Sequence, residues 1–258
     1  MFIKKTVDKN YYKNNGYIVL DTDLEHNQDF NNLVNEIYND LNLKVNSKEL
    51  KKNGGYIMGN FGINQGPYGP KLQSLIFKDE LIKIFEDLTE SKLDEFNIFY
   101  GGNLVLPKKG KQHFHIDGSY NKKMFMISIV TEDIHINNAP TEVCLGSHKK
   151  KMKFWKFFLS RKNKKKVILK KGQILIRPHN LWHRGTNNNS NKPRLLLSFT
   201  MTLKTNNNEE VQQISKSFKI LPNFFKSNFL GRLHEFFYVH FGPALIILKL
   251  FRSIVKEK

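Results

Sequence analysis

Three residues of this chain have the types and spacing that hold a redox-active metal. His115 and Asp117 stand two apart in HFHIDGSY, and His183 follows far downstream in LWHRGTNNNSNKPRLLLSF. Side chains alternate faces along a strand, so His115 and Asp117 point to the same side. A second histidine arriving from a neighbouring strand completes two imidazoles and one carboxylate on one face of a metal, with other positions open. That donor set suits non-haem Fe(II) and the activation of dioxygen.

Arg194 narrows the chemistry further. The run TNNNSNKP between His183 and Arg194 consists of turn formers and ends in a proline that should open a strand. His183 is therefore expected to close one strand, and Arg194 to begin its antiparallel return beside the metal. A guanidinium there can grip a carboxylate through two charge-assisted hydrogen bonds. A dicarboxylate that chelates iron at its keto-acid end and meets Arg194 at the other is 2-oxoglutarate. Rival donors are weaker. His113 shares a strand face with His115, but an H-x-H set of the cupin kind wants a glutamate a few residues on, where this chain has GSYN. His179 follows the turn-forming approach of Pro178 and lacks an arginine at the hairpin spacing. Lys192 could meet a dicarboxylate but precedes the proline, off the strand.

From about Phe96 to Thr202 the chain resembles the phytanoyl-CoA dioxygenase family of Fe(II)/2-oxoglutarate oxygenases. The residues that carry the resemblance are QHFHID, NNAPTEVCLGSHK, KKGQILIRPHNLWHRG and NKPRLLLSF. It implies a double-stranded β-helix, a squashed jelly roll with the metal inside its open end. It also implies that His115, Asp117 and His183 ligate Fe(II) and that Arg194 binds the outer carboxylate of 2-oxoglutarate, with O2 as oxidant. Gln112 matches a position near the co-substrate, and Asn103 on GGNLVLP is a second candidate. Relatives often place a serine two residues after the distal histidine; here that residue is Gly185, and Thr186 is the nearest substitute. Asp117 is present where halogenating relatives lack the carboxylate, which favours hydroxylation.

The elements that must position these residues fit the same fold. FNIFYGGNLVLP, KMFMISIVTED, TEVCLG, KVILKKGQILIRP and RLLLSFTMTLK are rich in β-branched and aromatic residues between glycine or asparagine breaks, as antiparallel strands are. Ahead of them, Phe30, Leu33, Val34, Ile37, Tyr38 and Leu41 recur at helical spacing. KLQSLIF and DELIKIFEDLT read as two short helices, the second with Asp79 as N-cap. Between the first helix and these, GGYIMGNFGINQGPYGP is glycine-rich and reads as a loop. A single oxygenase domain over 1–258 follows: a mainly helical part at 1–95, a β-helix core at 96–204 and a helical tail at 205–258. The basic aromatic segment KKKMKFWKFFLSRKNKKK at 149–166 is inserted in the core.

The 258 residues hold 42 Lys+Arg against 23 Asp+Glu, a formal charge of +19. A field of that sign favours anionic or carrier-linked small-molecule substrates, and acidic membrane surfaces. A nucleic-acid demethylase is disfavoured because RLLLSFTMTLK has no second arginine after Arg194. The inserted aromatics and the apolar tail, with a break at Gly242–Pro243, suit packing on the core, a dimer interface or peripheral membrane contact. No run reaches the length of a membrane span, no signal peptide is evident, and the lone Cys144 fits a reducing, cytoplasmic setting. A monomer or homodimer is expected. The alternative from another class is a non-catalytic basic jelly roll that binds acidic membranes or nucleic acid.

Overall fold

A computed structural model describes residues 7–46, 53–120, 122–160, 163–205, 214–223 and 225–241, with residues 3, 50, 247 and 250. Two antiparallel sheets form the β core. The larger is built from β1 (Ile18–Leu20), β2 (Asn60–Asn64), β3 (Phe96–Val105), β4 (Met124–Val130), β7 (Ile174–Pro178), β9 (Arg194–Leu203) and β10 (Lys219–Ile220), in the order β1-β7-β4-β9-β3-β2-β10. The smaller is β6 (Lys164–Val167), β5 (Thr141–Cys144) and β8 (His183–Gly185), with β5 central. This is the double-stranded β-helix expected from the sequence.

Alternation along the large sheet separates its two jobs. Ile127, Ile129, Ile174, Ile176, Leu195, Leu197, Phe199 and Met201 are buried in one cluster with residues of the N-terminal helices. Those helices are α2 (Gln28–Val45), α3 (Tyr68–Ile76) and α4 (Asp79–Thr89), following a short α1 (Lys9–Asn15). The stripe predicted on α2 is the buried one: Phe30, Leu33, Val34, Ile37 and Leu41. The intervening residues, Met124, Met126, Ser128, Leu175, Arg177, Leu196, Ser198 and Thr200, line a cavity on the opposite face. The period of two thus puts the helices on one side of the sheet and a site on the other.

Three local expectations change. The glycine-rich stretch contains β2, which pairs with β3 and buries Phe61 and Ile63. Gly59 and Gly66, with φ of 67° and 57°, bracket the strand in left-handed backbone that glycine adopts freely. Lys78, without a side-chain cap bond, is the N-cap of α4, and Asp79 is its first helical residue, still favourable at the positive end of the helix dipole. His183 opens β8 rather than closing a strand. β8 and β9 are not hairpin partners: β8 pairs with β5 and β9 with β3 and β4, so the NNNSNKP turn carries the chain from one sheet to the other.

The inserted segment forms a short helix, α5 (Phe154–Leu159), of which Phe157 is the buried residue. Phe157 stacks on Trp182 with ring centroids 4.2 Å apart and planes 5° from parallel, so the insertion buttresses the residue before His183. In the tail, α6 (Phe229–His240) buries Glu235 and leaves Phe229, Leu230, Phe236 and Phe237 exposed. The Gly242–Pro243 break lies outside the described residues. Among the described residues no helix is long and apolar enough to cross a membrane.

Candidate metal and co-substrate site

His115 and His183 are cross-strand neighbours whose backbones exchange hydrogen bonds, His115 N to His183 O at 2.9 Å and His183 N to His115 O at 3.0 Å. That reciprocal pairing brings both rings to one place, with centroids 4.5 Å apart. Each Nδ1 lies 2.9 Å from the carbonyl two residues before it, His113 O and Leu181 O respectively. A carbonyl only accepts, so Nδ1 carries the proton in both rings and Nε2 presents its lone pair. Asp117, anchored by its N–H to His179 O at 3.0 Å, brings its carboxylate between them. One oxygen lies 3.6 Å from His115 Nε2 and the other 3.4 Å from His183 Nε2.

These three donors lie within 4.8 Å of one another, the grouping a metal ion requires. A first-row metal about 2.1 Å from each donor sets donors at right angles roughly 3 Å apart. The two separations from the Asp117 oxygens, 3.6 and 3.4 Å, are a few tenths of an ångström wider. Burial pushes the His183 imidazole down to about 3, aided by the Arg177 guanidinium, so it is neutral and able to ligate at ordinary pH. Burial alone would raise the Asp117 carboxyl, but its neighbours His183, Arg177 and His115 outweigh it and hold the group well below the usual carboxylate range.

Arg194 begins β9 and is 2% exposed. Its Nη2 donates to Ala139 O at 2.9 Å and its Nη1 to Asn103 O at 3.4 Å, while Nε is buried without a hydrogen-bond partner. Burial pushes it down to about 10, with Glu132 and Tyr38 opposing, so it stays a cation. It lines the same 260 Å³ cavity as His115, Asp117 and His183. A buried guanidinium with an unsatisfied N–H, lining the cavity of a metal-ligand set, fits a dicarboxylate co-substrate that spans the two.

Gln112 and Asn103 also line the cavity. The Gln112 Oε1 accepts from Gly185 N at 2.9 Å, and the Asn103 amide donates to Asn60 Oδ1 at 2.5 Å. Thr186 is not brought to the cavity; its hydroxyl donates to Pro140 O at 2.7 Å. The hydroxyl that does line the wall from the small sheet is Thr141, which the sequence did not single out. His179 is held at both ring nitrogens by carbonyls, Met124 O at 3.0 Å and Ser119 O at 2.8 Å. His113 stacks on Tyr238 at 4.0 Å and does not line the cavity. Lys192 lines a separate surface pocket with Glu132 and Asp133.

Arg177 was missed. It lies in β7, every residue of which is buried, and its Nη2 donates to Asp117 Oδ2 at 2.8 Å. The available signal was a guanidinium inside the otherwise apolar run QILIRP.

Comparison with known proteins adds a family and a fold. The family model described as phytanoyl-CoA dioxygenase (PhyH) matches residues 12–196. No curated protein matches the chain by sequence. Among solved structures, the α-ketoglutarate-dependent carbocyclase SnoK from nogalamycin biosynthesis superposes with a TM-score of 0.58 at 13% identity, covering 87% of this chain and 88% of its own. The epimerase SnoN, solved with Fe3+, α-ketoglutarate and nogalamycin RO, gives 0.58 at 11% identity, covering 84% and 94%. EctD from S. alaskensis, solved with 2-oxoglutarate and 5-hydroxyectoine, gives 0.53 at 14% identity, covering 83% and 84%. At these identities the likeness is one of fold.

Proposed function

Because the chain belongs to the phytanoyl-CoA dioxygenase family, and so to the Fe/2-oxoglutarate-dependent oxygenases, we propose that it hydroxylates an anionic or carrier-linked small molecule in the cavity between its sheets. His115 Nε2, Asp117 and His183 Nε2 would hold the iron, and Arg194 the far carboxylate of 2-oxoglutarate. With dioxygen, this pair supplies the oxidising chemistry: the co-substrate is decarboxylated to succinate and a substrate C–H becomes C–OH.

The chain's own residues bind, orient and exclude. The Nδ1–H bonds to His113 O and Leu181 O orient both imidazoles with Nε2 inward. Arg194 offers a buried cation, and its unpaired Nε makes room for an acceptor. Met124, Met126, Leu175 and Leu196 give the wall an apolar portion that limits water beside the reacting carbon. No side chain is required as general acid or base, because the proton balance lies within the co-substrate chemistry.

The observation that carries this reading is the convergence of two imidazole lone pairs and a carboxylate with a buried guanidinium in one cavity. The test is conversion of 2-oxoglutarate to succinate by purified protein with added Fe(II), in the absence of any other substrate. His115→Ala and Asp117→Ala should abolish it. Undiminished turnover by His115→Ala would overturn the ligand assignment.

A further inference from the structure

We propose that Arg177 is an oxyanion-binding residue, placed to take a carboxylate held beside the metal. The proposal rests on the ligand assignment above. Arg177 stands on β7, buried at every position, and is itself 6% exposed. Its Nη2 lies 2.8 Å from Asp117 Oδ2, 3.0 Å from Met126 Sδ and 3.2 Å from His183 Nε2. Its other terminal nitrogen, Nη1, is buried and has no hydrogen-bond partner.

The charge balance of the cavity explains what Nη1 awaits. The lining residues include two guanidiniums, Arg177 and Arg194, and one acid, Asp117. Arg194 has a second acid in its field, Glu132. Among the described residues, Arg177 is paired with Asp117 alone. A divalent ion held by His115, Asp117 and His183 would draw on the Asp117 carboxylate and add its own charge. The buried Arg177 would then share its one carboxylate with a second cation, a state a protein interior tolerates poorly. An entering oxyanion relieves it and fills the unsatisfied Nη1 with a charge-assisted hydrogen bond. A carboxylate meets that need whether it is the keto-acid end of 2-oxoglutarate or an anionic group on the molecule being oxidised.

The experiment separates those two sources. Full-length protein is loaded with Mn(II) and titrated calorimetrically with 2-oxoglutarate. The saturated complex is then titrated with acetate, with acetamide as the neutral isostere. Wild type, Arg177→Gln and Arg177→Lys are compared, and the Mn(II) affinity of each is measured first. The loss of one charge-assisted hydrogen bond predicts at least about a tenfold weakening for Arg177→Gln in one carboxylate arm, with partial rescue by Arg177→Lys. A fall confined to 2-oxoglutarate assigns the carboxylate to the co-substrate; a fall confined to acetate assigns it to the substrate. Unchanged affinity in both arms, a fall confined to the acetate arm that acetamide shows equally, or a change in Mn(II) affinity alone would overturn the proposal. Mn(II) binding that is insensitive to His115→Ala would instead sink the ligand assignment, and the proposal with it.

Discussion

Glu235→Ala should destabilise the protein and loosen the cavity rim, although the residue belongs to the tail helix. Glu235 is 1% exposed, and its Oε1 accepts from Met58 N at 2.8 Å, with the Ile57 and Gly55 N–H groups also in its field. The loop it ties runs directly into Asn60, which holds the Asn103 amide at the cavity wall. Removing the carboxyl group strands at least one buried N–H, on the order of 1–3 kcal/mol. For a chain of this size that corresponds to a fall in Tm of roughly 2–12 °C. Burial pushes the Glu235 carboxyl up, with the Met58, Ile57 and Gly55 N–H groups opposing. A raised folded-state value means its contribution is greatest below the ordinary glutamate range and declines as pH rises through that value. Urea unfolding of wild type and Glu235→Ala at several pH values measures both effects. A difference below about 0.5 kcal/mol at every pH, or one that grows towards alkaline pH, would refute the reasoning.

Three further outcomes follow. Trp182→Ala removes the stack on Phe157 and the Nε1–H bond to Tyr120 Oη at 2.8 Å. It should cost about 3–5 kcal/mol in urea unfolding and lower 2-oxoglutarate turnover through the adjacent His183, whereas Trp182→Phe should recover most of the stability. Arg194→Leu should raise the Kd for 2-oxoglutarate by about a hundredfold or more, because a charge-assisted carboxylate pair is lost, and calorimetry on Mn(II)-loaded protein reads it directly. Stripping bound metal with a chelator should lower Tm for wild type but not for His115→Ala, since an ion that binds only the folded state stabilises it by mass action.

The grouping of the candidate ligands was legible because it depends on local rules. The spacing of His115 and Asp117 and the turn chemistry before Arg194 act over a few residues, and the structure brings these side chains to one cavity. Sheet membership was not legible. Nothing within NNNSNKP says whether the chain returns beside β8 or crosses to the opposite sheet, since that is decided by partners 89 to 107 residues earlier in β3. The tail was opaque for the same reason. Its apolar residues read as an interface, yet two polar contacts tie it to the site: Glu235 to Met58 across 177 residues, and Tyr238 to His113 across 125. The second supports a candidate ligand, because the Tyr238 hydroxyl accepts from His113 N and the His113 carbonyl accepts from the His115 ring.

Gly185 shows how a departure from the family pattern acquires a physical cause. Where relatives often carry serine, a Cβ in this chain would stand 2.9 Å from both Gln112 Oε1 and Asn60 Nδ2. The space is taken because Gln112 accepts from Gly185 N and Asn60 accepts from the Asn103 amide. Two amides therefore fill the space beside Gly185, and of these Gln112 lines the cavity. The missing serine and the presence of Gln112 become one fact rather than two. Gly185→Ser should displace Gln112 rather than restore a useful hydroxyl, costing about 1 kcal/mol of stability and weakening 2-oxoglutarate binding. Tighter binding by Gly185→Ser would show that the amide is dispensable and that the hydroxyl alone is what the co-substrate requires.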